Sequence, residues 1–251
     1  MKKIIITICF FMLAACKNSK SENETPIYSD EAVLIVNYKL ENMTLEEHAE
    51  LGAQVAPNFV SDIIPGLLGK SFIGNVDRGV FGGIYYFENE QFVSEYLDSE
   101  LWKGVVAHPN LVRFKTEVFK TFNGSKIANG EHKSRKTSTD PNDSEGLSVL
   151  VVNFDSQPTE ADISKMILEG ATVFNNEKFP GFIGKTFISK SDTNNVFGGV
   201  YFFESMSSIE SYLSTDFWND FENSEGINVF KKDTYGVASI STISNGVPVS
   251  E

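Results

Sequence analysis

The chain is short of cysteine, histidine and positive charge. Of 251 residues only two are Cys, and both fall within the first sixteen positions. A disulfide-stapled scaffold is therefore excluded for the body of the chain. The three histidines, His48, His108 and His132, are scattered. No set of His, Cys and carboxylates has the spacing of metal ligands, so no metal is expected. Lys and Arg number 21 against 34 Asp and Glu, a formal net charge of −13. Nucleic acid is excluded as the main partner, because phosphate binding needs a concentrated basic surface. No apolar run reaches the length of about 20 residues that a membrane-spanning helix needs. What is present is 41% hydrophobic residues with 12% aromatics, enough to build cores. The length allows two domains of roughly 100–150 residues each.

Met1-Lys2-Lys3 is a short basic start, and Ile4 to Ala15 is apolar apart from Thr7. These read as the n-region and h-region of a secretory signal, residues 1–15. The run ends Leu13-Ala14-Ala15-Cys16, and the polar stretch KNSKSENE follows. Small residues before a cysteine resemble the lipobox of bacterial lipoproteins. The resemblance implies cleavage before Cys16 and lipidation of its sulfur and new amino group. Several acyl chains anchor stably where one is marginal. Residues 16–30 then form a tether. Lys17 and Asn18 carry no Asp signal for inner-membrane retention, so the expected location is the cell envelope at the outer membrane, with either face open.

The rest of the chain is one unit written twice. Pro65-Gly66-Leu67-Leu68-Gly69-Lys70-Ser71-Phe72-Ile73 recurs as Pro180-Gly181-Phe182-Ile183-Gly184-Lys185-Thr186-Phe187-Ile188. VFGGIYYFE at 80–88 recurs as VFGGVYFFE at 196–204, seven of nine residues identical. Tyr96-Leu97 and Trp102 recur as Tyr212-Leu213 and Trp218, and Val36-Asn37 as Val152-Asn153. The offset stays at 115 or 116, which marks a tandem duplication. Residues 31–122 form the first repeat and 147–245 the second. The stretch 123–146, rich in Gly, Ser, Asn and Lys, reads as a linker.

Each repeat reads in the order βαββαβ, a ferredoxin-like arrangement. Ala32–Lys39 is a strand. Thr44 with Glu47 makes a capping box for a helix to about residue 60. Pro65-Gly66 leads into a hairpin of strands over 69–74 and 80–88. Residues 90–106 read as one helix, and 111–122 as the last strand. Strand 80–88 is apolar on both faces, so both must be covered. The unit's helices cover one face, and the sheet of the other repeat covers the second. The expected fold is α+β: two tandem ferredoxin-like βαββαβ repeats packed sheet to sheet as an intrachain barrel, a monomer with an internal pseudo-dimer.

The motifs P-G-x-x-x-K, G-G-I-Y-x-F and Y-L resemble the YdhR-type mono-oxygenase family of the dimeric α/β-barrel superfamily, which also holds antibiotic-biosynthesis monooxygenases. Pro65-Gly66, Lys70, Gly82 to Phe87 and Tyr96-Leu97 carry the match. So do Pro180-Gly181, Lys185, Gly198 to Phe203 and Tyr212-Leu213. The resemblance implies oxygenation of a small hydrophobic or aromatic compound with no metal, flavin or other cofactor. It defines no catalytic residues. Haem degradation occurs in another branch, with an Asn on the first strand and a Trp and a His on or after the second helix. Asn37 matches that Asn, Tyr96 stands at the Trp, Trp102 falls further along, and His108 lies near the His. The second repeat has Asn153, Tyr212 and Trp218 but no His.

Several motifs are set aside on physical grounds. Gly69-Lys70-Ser71 and Gly184-Lys185-Thr186 lack the upstream Gly of a phosphate loop and enter strands, not helices. Gly82-Gly83 and Gly198-Gly199 lie inside strands, where glycines mark a bulge, tight packing or a bound ligand. The candidate catalytic groups are Asn37, Tyr85, Tyr96 and His108. Trp102, Asn153, Tyr201, Tyr212 and Trp218 are candidate pocket residues, although aromatics also simply fill cores. An Asn in an apolar strand must find a partner in backbone or ligand. Two functions follow: a cofactor-independent monooxygenase, or a non-catalytic envelope module holding a ligand or protein partner. A haem-binding or haem-degrading barrel is the third. An enzyme keeps polar groups aimed into a pocket; a structural repeat packs that space shut.

Overall fold

The computed structural model describes residues 28–128, 146–156, 162, 165, 170, 172–193 and 195–238. The signal segment, Cys16, the first part of the tether, His132, most of the linker and the Thr159 start of a second-repeat helix lie outside the described residues. The first repeat runs β1 (Tyr28–Leu40), α1 (Leu45–Val55), a 3-10 turn (Ala56–Asn58), β2 (Leu67–Asn75), β3 (Val80–Phe87), α2 (Glu90–Asp98), α3 (Glu100–Val106) and β4 (Leu111–Ala128). The second contains β5 (Ser148–Ser156), β6 (Phe182–Lys190), β7 (Val196–Phe203), α4 (Met206–Leu213), α5 (Asp216–Glu222) and β8 (Ile227–Val237). Between β5 and β6, residues 162, 165, 170, 172 and 173 are helical. No helix among the described residues is long and apolar enough to cross a membrane.

The strands close into a barrel in the order β1-β3-β2-β8-β5-β7-β6-β4. Two seams join the repeats. β2 meets β8 at Ile73↔Val237 and Gly74↔Gly236. β4 meets β6 from Phe119↔Lys190 to Ala128↔Gly184, with a register shift between. The second seam is long because β4 runs on to Ala128, past the expected end at Phe122 and into the stretch read as linker. The expectation that each sheet covers the other's second face holds. One core cluster inside the barrel joins Val33, Ile35, Ile84 and Phe119 of the first repeat to Val149, Val151, Val200 and Tyr235 of the second.

Local signals explain the elements. The Thr44 capping box forms: its hydroxyl accepts from the Glu47 N–H, and the Glu47 carboxylate accepts from the Thr44 N–H at 2.7 Å. α1 ends at Val55, earlier than expected, and Pro57 falls in the 3-10 turn that follows. The expected single helix over 90–106 is two. Ser99 takes an extended conformation (φ −71°, ψ 157°) and its hydroxyl caps α3 by accepting from the Trp102 N–H. Thr215 breaks the second-repeat helix in the same way, with its hydroxyl on the Trp218 N–H. A hydroxyl that can bond the backbone locally favours a cap over a helix interior. Gly66 and Gly181 lead into β2 and β6 at φ +70° and +81°, where a side chain is strained.

Candidate functional site

A cavity of about 790 Å³ lies in the first repeat between the outer face of its sheet and helices α1 and α3. Its wall is largely apolar. Six polar groups line it: Tyr38, His48, Lys70, Tyr85, Glu100 and His108. α1 roofs the cavity with Leu45, His48, Ala49 and Gly52, yet none of its residues is buried.

Lys70 is the most unusual of these groups. It is 4% exposed and makes no hydrogen bond or ion pair with any described residue. Its Nζ instead lies 3.2 Å from the ring centre of Phe59, 3.6 Å from that of Phe72 and 4.6 Å from that of Tyr85. Ring faces attract a cation, but they do not replace water or a carboxylate around it. Burial therefore pushes the Lys70 ammonium well below the ordinary lysine range. The tandem glycines explain the space it occupies. A Cβ at Gly83 would stand 2.9 Å from Lys70 Cε and 2.8 Å from Tyr85 Cε2. A Cβ at Gly82 would stand 1.8 Å from the Val36 carbonyl oxygen, so that glycine permits close approach of β1 and β3. Gly198 and Gly199 repeat both relations with Val152 and with Lys185 and Tyr201.

Tyr38 and His48 form a hydrogen-bonded pair, hydroxyl to Nε2, at 2.8 Å. Burial raises the Tyr38 pKa and lowers that of His48. Tyr85 is raised well above the usual phenol value, chiefly by burial, and the neighbouring Tyr96 is pushed up to about 12 by the same cause. These phenols stay protonated at neutral pH. His108, at the end of α3, accepts the Asn110 N–H on Nδ1 at 3.3 Å.

The residues singled out from sequence divide into three groups. Tyr85 and His108 line the cavity. Tyr96 and Trp102 stand behind it in the helix-side core, ring centres 5.7 Å apart. Asn37 projects from the opposite face of β1, on the side of Val33 and Ile35, and interacts with Tyr235. The Asn, Trp and His of the haem-degrading pattern are thus not gathered in one pocket. Asn153 likewise faces the barrel, 1% exposed. Both asparagines leave a buried Oδ1 without a hydrogen bond among the described residues. Beside them, at one end of the barrel, Lys231 bridges to Glu117 at 2.7 Å and Arg78 to Asp233 at 2.5 Å.

The second repeat lays out its counterparts differently. Tyr201, Tyr212 and Trp218 belong to a densely aromatic core. Ile64, Leu101 and Val105 of the first repeat correspond to Phe179, Phe217 and Phe221. Phe174, at the place of Phe59, touches both Phe179 and Phe217. Lys185 keeps the aromatic box, 4.1 Å from Phe174 and 3.6 Å from Phe187. The Tyr38–His48 pair has no counterpart, because Phe154 and Ile163 occupy those positions.

Sequence reasoning missed Lys70, Tyr38 and His48. The available signal for Lys70 was a lysine at the same place in an apolar strand of both repeats. Among the described residues no group of three or more His, Cys, Asp or Glu is placed to hold a metal.

The family described as "Putative mono-oxygenase ydhR" matches residues 33–131 and again 149–247. A putative monooxygenase from Fusobacterium nucleatum has a similar fold, with a TM-score of 0.58 at 12% identity over 90% of this chain and 99% of its own. One from Lactobacillus acidophilus NCFM gives 0.56 at 12% identity, covering 89% of this chain and 100% of its own. An anthrone oxidase-like protein gives 0.53 at 10% identity, over 85% and 94%. Among curated proteins nothing matches the chain.

Proposed function

Since this chain belongs to the YdhR mono-oxygenase family through both of its repeats, we propose that it oxygenates a small hydrophobic or aromatic compound in the cavity of the first repeat. The observation that carries this reading is the combination of an apolar cavity of about 790 Å³ with polar groups aimed into it. Pockets of this size and character take small organic ligands. The apolar wall excludes water and holds the substrate. The Tyr85 hydroxyl and His108 are the groups available to orient a substrate oxygen and stabilise negative charge on it. A phenol oxidised to a quinone by one O₂ yields one water, and the substrate itself supplies the electrons.

The second repeat serves as the other half of the barrel, with its helix-side space occupied by phenylalanines. The protein acts as a monomer held at the outer membrane by lipid on Cys16. The LAAC sequence behind a basic and apolar start supports that location.

Oxygen consumption with phenols and quinols tests the activity. Uptake is expected with the intact protein and a fall of about a hundredfold or more on Tyr85→Phe, the size of a lost oriented donor. Absence of uptake across the panel, with ligands still binding, would leave the non-catalytic binding module as the better reading. Cys16→Ser is expected to move the protein out of the membrane fraction; continued sedimentation with membranes would remove the anchor.

A further inference from the structure

We propose that Lys70 captures the ligand covalently, as an imine with an apolar aldehyde or ketone. This deepens the reading of the cavity as the ligand site by naming the group its ligand carries; it does not require oxygenation.

Among the described residues the Lys70 amine has no hydrogen-bonding or ionic partner. Lys70 is buried and lines a cavity of about 790 Å³, while the Glu100 carboxylate that lines the same cavity pairs instead with Lys103 at 2.7 Å. Lysines that serve structure ordinarily extend the ammonium to water or pair it. Here the stem is directed inward. Gly83 makes the necessary room, since any side chain there would stand against Lys70 Cε. A buried amine of this kind is neutral at a pH where surface lysines are ammonium, and the neutral form is the nucleophile. Phe59, Phe72 and Tyr85 confine it on the ring sides, which leaves the cavity as the direction of approach.

The chemistry closes without a further reagent. Nζ adds to the carbonyl carbon, and one amine proton passes to the carbonyl oxygen to give a carbinolamine. That oxygen takes a second proton and leaves as water while the C=N bond forms. The amine's two hydrogens and the carbonyl oxygen therefore depart together. The same three ring faces favour the cationic form of the imine when it is protonated. The apolar wall selects a hydrophobic carbonyl compound over a sugar or a keto acid.

Reductive trapping tests the assignment. The full protein is treated at pH 7 with limiting 2-naphthaldehyde and cyanoborohydride, and adducts are located by peptide mass mapping. An ordinary lysine near pKa 10.4 is neutral in only about 1 molecule in 2,500 at this pH. Lys70 is expected to be modified at least about tenfold faster than the exposed Lys103. The carbonyl-free 2-methylnaphthalene should slow modification at Lys70 and not at Lys103. Lys70→Arg should remove the cavity adduct. Modification of Lys70 no faster than Lys103 overturns the proposal, as does a cavity adduct that survives in Lys70→Arg. The wild-type comparison stands even if the variant fails to fold. Trapping without oxygen uptake would defeat the oxygenase reading and leave this one. Undiminished uptake with no trapping would do the reverse.

Discussion

At the scale of the residue, Lys70 costs the fold stability, and the sign of its pH dependence follows from its burial. Above about pH 10.4 a lysine is neutral in both folded and unfolded chains. As pH falls below that value, the unfolded chain takes up a proton that buried Lys70 resists. The native state therefore loses stability relative to the unfolded one as pH falls. Lys70→Met keeps the bulk and removes this penalty. The variant should melt above wild type at pH 7, with roughly 2–4 °C for each kcal/mol recovered, and the gap should shrink as pH rises towards 10. Lys185 contributes the same trend to both proteins and cancels. A gap that is constant or widens with pH would mean that Lys70 is charged in the folded protein. The sequence showed Lys70 and Lys185 as a repeated lysine in an apolar strand of a sheet covered on both faces, but not that aromatic rings, and no carboxylate among the described residues, surround each ammonium position. Strand alternation assigns Asn37 and Tyr38 to opposite faces without saying which one looks at the helices. Asn37 was therefore grouped with Tyr85, although the barrel wall separates them.

At the scale of the element, α1 is the part of the site held least by packing. It roofs the cavity, but none of its residues is buried. Its stability rests heavily on the Thr44–Glu47 capping box. Loss of such a cap costs about 1 kcal/mol. Thr44→Ala should speed amide exchange across Leu45–Val55 several-fold and leave exchange in β1 and β3 unchanged, as for a local opening beneath the global one. Equal acceleration in the strands would show that α1 unfolds only with the barrel. The cap was legible because its two residues are local in sequence. The helix break at Ser99 was less so. Phe92, Tyr96 and Trp102 suit one continuous helix, and only the hydroxyl's preference for its neighbouring backbone marks the division.

At the scale of the whole molecule, the duplication and the two-sided apolar strand β3 were enough to foresee a barrel shared between repeats. The seams were not foreseeable, because strand pairing across the repeats depends on how far β4 extends into a stretch whose Gly, Ser and Asn content suggests a loop. The seams lead to the last prediction. Residues 28–128 alone would keep β1 and β3 paired but leave β2 and β4 as open edges. They would also uncover Val33, Ile35, Ile73, Ile84, Tyr86 and Phe119, all buried in the intact barrel. Open edges and an uncovered apolar face drive association. In the intact chain, β8 occupies the place that β4 of a second copy would take, and β6 that of β2. A first-repeat fragment should therefore form a dimer with β2 of each copy against β4 of the other. Sedimentation equilibrium should show its mass doubling with concentration. The full chain should stay monomeric over the same range, since fusion makes the pairing intramolecular. A fragment that is folded and monomeric at every concentration would show that one repeat can close its own core, and that the second repeat is an addition to the fold instead of half of it.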